Sequence, residues 1–195
     1  MPRQSKRAKV LSSRIVYRGP VFHVTTDRVQ EPGGIVARRD VVRHSGSIVI
    51  MAADDSRSEL RVLLARQYRH PAGDYLWELP AGRIDPGESE LTGAKRELLE
   101  ETGYTAARWS RALFFYSSPG FLDETMAIYL ATGLKRGKAK PEEDEYIRIR
   151  MFPLSQLVTM VMRGAIRDGK TISAVLWLAQ LRQPAKSAAR HSKPG

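Results

Sequence analysis

Arg96, Glu97, Glu100 and Glu101 crowd together in this 195-residue chain. Glu97 and Glu101 are four residues apart and Glu97 and Glu100 three apart, so on a helix their carboxylates share one face. Like charges at that spacing cost roughly 0.2–0.5 kcal/mol in an isolated helix, so acids that converge this way call for a cation between them. Carboxylate oxygens, with no Cys and few His in the chain, suit Mg²⁺ or Mn²⁺ rather than zinc. Arg96 is placed to pair with one of the acids and hold it ionised. Gly93, one turn before Glu97, leaves that face open to close approach. A solvated, Glu-rich helix face would share this composition; the residues around it decide between the two.

The elements that must carry these groups are legible in outline. Residues 14–18, 21–30 and 35–43 are short and rich in β-branched and aromatic side chains, and Gly19-Pro20 and Pro32-Gly33-Gly34 punctuate them as turns. Residues 47–53 and 59–66 read as two further strands joined by a polar turn. A loop containing Pro71, Gly73, Pro80 and Gly82 follows. It leads to a helix over residues 88–102, with Leu91, Ala94 and Leu98 as its buried stripe and Gly103 as its C-terminal cap. Strands are expected at 112–117, 125–131 and 146–152, with a polar loop over 135–145 before the last. Helices follow at 154–163 and 171–181, the latter with Ile172, Val175, Leu176 and Ala179 on one face. The order points to an α/β sandwich with a mixed sheet, preceded by a small N-terminal β-rich segment.

Composition narrows the function classes. The absence of cysteine excludes a disulfide scaffold, a cysteine nucleophile and a thiolate metal site. No apolar stretch approaches the roughly 20 residues of a membrane span, and no apolar run follows the basic N-terminus, so a soluble cytoplasmic protein without a membrane partner is expected. The net charge of +11 would ordinarily suggest a polyanion. Eight of the 32 basic residues, however, lie in residues 1–10 and 181–195, where there is no acid. The excess therefore reads as solvated tails, and nucleic acid is not expected as a partner. Residues 1–13 and 183–195 are read as disordered basic tails, 14–45 as the β-rich segment and 46–182 as the main domain.

The spacing from Gly82 through Glu88, Arg96-Glu97 and Glu100-Glu101 to Gly103 resembles the Nudix box. Eight of its nine constraints are met, and Tyr104 stands where the family usually has an aliphatic residue. The resemblance implies a Nudix hydrolase fold, an α/β/α sandwich, that cleaves a nucleoside diphosphate linked to a further group. It implies that Glu97, Glu100, Glu101 and the Ala81 carbonyl bind metal, with Glu88, Arg96 and Gly82 supporting them.

Outside the box the chain looks like the ADP-ribose pyrophosphatase group. The features are Gln67-Tyr68-Arg69 ahead of Trp77-Glu78-Leu79-Pro80-Ala81-Gly82, Pro119-Gly120 sixteen residues beyond Gly103, the N-terminal β-rich segment, and the acidic run Glu142-Glu143-Asp144-Glu145. This likeness implies Mg²⁺-dependent hydrolysis of ADP-ribose to AMP and ribose 5-phosphate, and a homodimer built on residues 14–45. It makes Gln67, Arg69, Glu78, Pro119 and Gly120 substrate-binding candidates. Glu143, ahead of Glu145, becomes the acid that helps deprotonate water, and Phe22 and Tyr17 could stack on adenine. Another nucleoside-diphosphate sugar or an oxidised nucleotide is the alternative substrate. A non-catalytic nucleotide-binding module and an RNA-directed hydrolase are the remoter readings.

Overall fold

In the computed structural model, residues 7–137 and 147–182 are described. Strands β1 (Lys9–Arg18), β2 (His23–Gln30) and β3 (Val36–Arg43) form an antiparallel three-stranded sheet. The second sheet contains β4 (Ser47–Asp54), β5 (Arg61–Arg69), β6 (Asp74–Glu78), β7 (Ala81–Arg83), β8 (Tyr104–Tyr116), β9 (Thr125–Arg136) and β10 (Arg148–Pro153). Its order is β10-β5-β4-β9-β8, with β6 paired to β5 and β7 to β4. The β4–β9 pair is parallel and the others are antiparallel, so the sheet is mixed, as expected. The helices are α1 (Glu90–Thr102), α2 (Leu154–Met162) and α3 (Gly169–Arg182).

The apolar run in β4 explains the layering. Ile48, Ile50 and Ala52 pack with Ala94 and Leu98 of α1, while Val49, Met51 and Ala53 pack with Leu157, Ala174, Val175 and Leu178 of α2 and α3. A strand covered on both faces needs no polar alternation, and burying each large side chain contributes roughly 1.5–3 kcal/mol. The described residues include no helix long and apolar enough to cross a membrane.

Several expectations shift. The segment between β5 and α1, read as a loop, contains β6 and β7; both are short and flanked by Pro and Gly, and the sheet edge rather than their composition makes them strands. Strand β8 begins at Tyr104, far ahead of residue 112, because pairing with β9 overrides its Ala- and Arg-rich start. Helix α1 starts at Glu90 because Ser89 caps it, its Oγ accepting from Thr92 N at 3.2 Å. The buried face of α3 is Thr171, Ala174, Val175 and Leu178, and Leu176 is exposed. Residues 174–179 are almost wholly apolar, so spacing there does not specify a face.

Two layers of contact join the small sheet to the large one. Val42 N donates to Phe121 O at 2.8 Å, and Asp123 N donates to Val42 O at 3.1 Å. Arg43 pairs with Asp27 and, at 3.1 Å, with Asp123. Strand β1, by contrast, is exposed along its whole length, including Val10, Ile15, Val16 and Tyr17.

Candidate active site

The turn Asp85-Pro86-Gly87-Glu88 sets the first member of the site. Pro favours the second turn position, and Gly87 takes a left-handed φ of 81°. The turn closes through Glu88 N to Asp85 O at 3.0 Å. Glu88 thereby faces α1, where its carboxylate receives Arg96 Nε at 3.1 Å and Nη2 at 3.0 Å. The other guanidinium edge reaches forward, Nη1 donating to Glu97 Oε1 at 2.8 Å and Glu100 Oε2 at 3.1 Å. Nη2 also donates to the Arg83 carbonyl at 3.2 Å. One planar cation thus fixes three carboxylates and a strand.

The electrostatics follow from this fork. The Arg96 guanidinium holds the Glu88 carboxyl below the usual carboxylate range, and Glu88 foremost, with Glu97 and Glu100, raises the Arg96 pKa further. The side chains of Glu88 and Glu97 are only 12% and 14% exposed, whereas that of Glu100 is 44% exposed.

Two glycines make the approach possible. A Cβ on Gly82 would lie 2.0 Å from Glu97 Oε1, so the carboxylate rests against the backbone of β7. A Cβ on Gly93 would meet Ile48 Cδ1 at 2.6 Å and Glu88 Oε2 at 2.8 Å. Gly93 therefore permits the close approach its position suggested, and what approaches is Ile48 of β4 and Glu88.

Ala81, Gly82, Arg83, Asp85, Arg96, Glu97, Glu100 and Glu101 line one cleft of about 240 Å³. Its donors are all oxygen and fit a hard divalent cation in kind. Among the described residues, no three acidic or histidine side chains stand close enough together to hold one as placed; Arg96 draws Glu97 and Glu100 to itself.

At the end of β6, just ahead of β7, Glu78 is 3% exposed and receives Arg69 Nε at 2.7 Å on Oε1 and Nη2 at 2.9 Å on Oε2. Burial pushes the Glu78 carboxyl up, but the bonds from Arg69 and the charge of Lys170 outweigh it and the net shift is down. Glu78 foremost, with the charges of Glu101 and Asp168, raises the Arg69 pKa. Gln67 is two residues earlier on β5, half-buried and on the same strand face.

Pro119 and Gly120 do not line the carboxylate cleft. Their turn abuts β3, through the bonds between Val42 and residues 121 and 123. Beside it lies a second pocket of about 500 Å³, lined among others by Arg18, Phe22, His23, Arg43, His44 and Asp123. Tyr17 and Phe22 stand 5.7 Å apart, ring centre to ring centre. Arg83 connects the two concavities, lining the cleft while its Nη1 donates to Pro20 O at 3.2 Å. Glu143 and Glu145 lie outside the described residues.

Sequence reasoning missed Arg83 and Asp85, which line the cleft, and Asp168, Lys170 and Thr171. The spacing between Gly82 and Glu88 could have drawn attention to the first two. Asp168-Gly169-Lys170-Thr171 reads as a helix start with an Asp cap, where a lysine is the wrong charge for the helix dipole.

Comparison with known proteins fits this geometry. The NUDIX domain family model matches residues 42–175. Over 172 residues the chain is 38% identical to an ADP-ribose pyrophosphatase of Mycobacterium tuberculosis (strain ATCC 25618 / H37Rv), covering 86% of this chain and 81% of that protein. It is 32% identical over 177 residues to an ADP-ribose pyrophosphatase of Bacillus subtilis (strain 168), covering 90% and 94%. A crystal structure of an ADP compounds hydrolase superposes with a TM-score of 0.77 at 22% identity, over 90% of this chain and 94% of that one, and so shares the fold.

Proposed function

The chain belongs to the NUDIX domain family, and on that premise we propose that it hydrolyses the pyrophosphate of ADP-ribose, giving AMP and ribose 5-phosphate. The observation that carries this reading is the cleft lined by Glu97, Glu100, Glu101 and the β7 residues, in which Glu97 rests against Gly82 and Arg96 bonds Glu97 and Glu100. Its likeness to two ADP-ribose pyrophosphatases supports the substrate.

Glu97, Glu100, Glu101 and the Ala81 carbonyl would hold Mg²⁺, or Mn²⁺ in its place. The cation would neutralise pyrophosphate oxygens and acidify the attacking water. The remaining work falls to the chain. Glu88 orients Arg96, and Arg96 Nη1 bonds both Glu97 and Glu100 where they line the cleft. Arg69 offers a fixed cation to an anionic part of the substrate. The pocket at Phe22 and Arg43 lies one arginine away from the cleft and is suited to the adenosine end. Water oxygen bonds to phosphorus, the anhydride P–O bond breaks, and the proton lost from water passes to a carboxylate of the acidic run, Glu143 in this reading. Equal amounts of AMP and ribose 5-phosphate, formed only with a divalent cation, are the expected products by chromatography; an intact substrate would refute the assignment.

Glu143→Gln is expected to lower kcat at least about tenfold with a smaller change in KM, as for a group acting in the transition state. A normal kcat would move the role to Glu145 or Glu142.

The proposal includes a cytoplasmic homodimer. A strand exposed on both faces that carries Val10, Ile15, Val16 and Tyr17 invites a covering partner, and a second copy is the partner the family reading supplies. Deleting residues 1–20 should convert a dimer into a monomer by light scattering, while β3 keeps its bonds to residues 121 and 123. A full-length protein with monomer mass would contradict the dimer.

A further inference from the structure

Helix α3 opens with a cation where its dipole favours an anion. Lys170 is nonetheless largely covered, its side chain 9% exposed, with Nζ 2.5 Å from Glu78 Oε2 and 2.9 Å from Asp168 Oδ1. Asp168 is itself pinned: Oδ2 accepts from Thr171 N at 3.0 Å and from Thr171 Oγ1 at 2.6 Å. Thr171 Oγ1 in turn accepts from Leu79 N at 2.8 Å, which ties the start of α3 to the chain between β6 and β7. At the other end, Glu78 takes both prongs of Arg69, whose side chain remains 41% exposed. A continuous series of charged bonds therefore runs from the first turn of α3 to a half-exposed arginine at the end of β5.

We propose that Lys170 is a positioning residue for substrate binding: with Asp168 it anchors Glu78, which presents Arg69 in one orientation to an anionic group of the substrate. The inference rests on the ADP-ribose hydrolase reading above. Two arguments support it. A guanidinium held by two parallel bonds is oriented only as well as the carboxylate that holds it, and Lys170 is what fixes that carboxylate from behind. Charge also matters: Arg69, Lys170, Glu78 and Asp168 together are neutral, and without Lys170 the group carries a net negative charge facing an anionic substrate.

The test is a double-mutant cycle on the full chain with ADP-ribose and saturating Mg²⁺, using Lys170→Gln, Arg69→Gln and the pair. Each single change is expected to raise KM about tenfold with kcat within about twofold, and the pair to be no worse than Arg69→Gln alone. An unchanged KM in Lys170→Gln, additive effects in the pair, or a fall in kcat at constant KM would each overturn the assignment. If Lys170→Gln does not fold, Glu78→Gln carries the same test, because it is isosteric and keeps the Lys170–Asp168 bond. Absence of ADP-ribose turnover in the unaltered protein would refute the functional reading, and this assignment with it. Normal turnover together with a normal KM in Lys170→Gln would refute the assignment alone.

Discussion

Glu97→Gln and Glu101→Gln are each expected to leave a folded protein whose proposed Mg²⁺-dependent turnover of ADP-ribose falls by about a thousandfold, since a metal contributes several kcal/mol at about 1.4 kcal/mol per decade of rate. The effect is large because both side chains line the cleft as oxygen donors, and an amide exchanges a charged ligand for a weak neutral one. The fold should survive, because neither residue belongs to the apolar clusters on which α1 packs, where Ala94 and Leu98 meet β4. Steady-state kinetics across a Mg²⁺ titration, with a thermal melt for each variant, checks both halves. Unchanged turnover in either variant would refute the placement of metal on this helix face.

Gly82→Ala is the second large effect, and it separates activity from stability. The added methyl would sit 2.0 Å from Glu97 Oε1 and 2.1 Å from its carboxyl carbon, well inside any real contact. The atoms it meets are the far end of a flexible side chain, so Glu97 swings away while β7 keeps its pairing with β4. Moving a positioned group by about 1 Å costs on the order of a hundredfold in rate, whereas stability should change by less than about 1 kcal/mol. A melt like that of the unaltered protein alongside near-normal turnover would show that Glu97 does not need its place against the strand.

The box from Gly82 to Gly103 was readable from sequence because each of its positions answers a local constraint. Gly87 must turn with positive φ, Gly103 must end a helix in the left-handed region, and the acids must share a face. The sandwich was readable from the order of strands and helices, and the apolar run at residues 48–53 of β4 is what lets helices cover both of its faces. The small strands β6 and β7 were not, since five- and three-residue strands take their conformation from neighbours. The neighbours of Gly93 were not legible for a related reason: spacing reports which helix face a residue occupies but not what fills the space beside it. The Arg69–Glu78–Lys170–Asp168 series joins β5, β6 and α3 across some ninety residues of chain, and no local pattern announces it. Its trace in the sequence is the lysine at the start of α3, a local electrostatic error that a distant carboxylate corrects.

On the proposed function, the carboxylate cleft would deal with the pyrophosphate, and side chains around Phe22, Arg43 and Arg69 would choose what flanks it. The most direct test compares kcat/KM with Mg²⁺ for ADP-ribose, other nucleotide sugars, dinucleotides, oxidised deoxynucleotides and capped RNA. The account predicts a clear preference for ADP-ribose, lost on chelation of the metal. A flat response, or no hydrolysis of any of them, would contradict it.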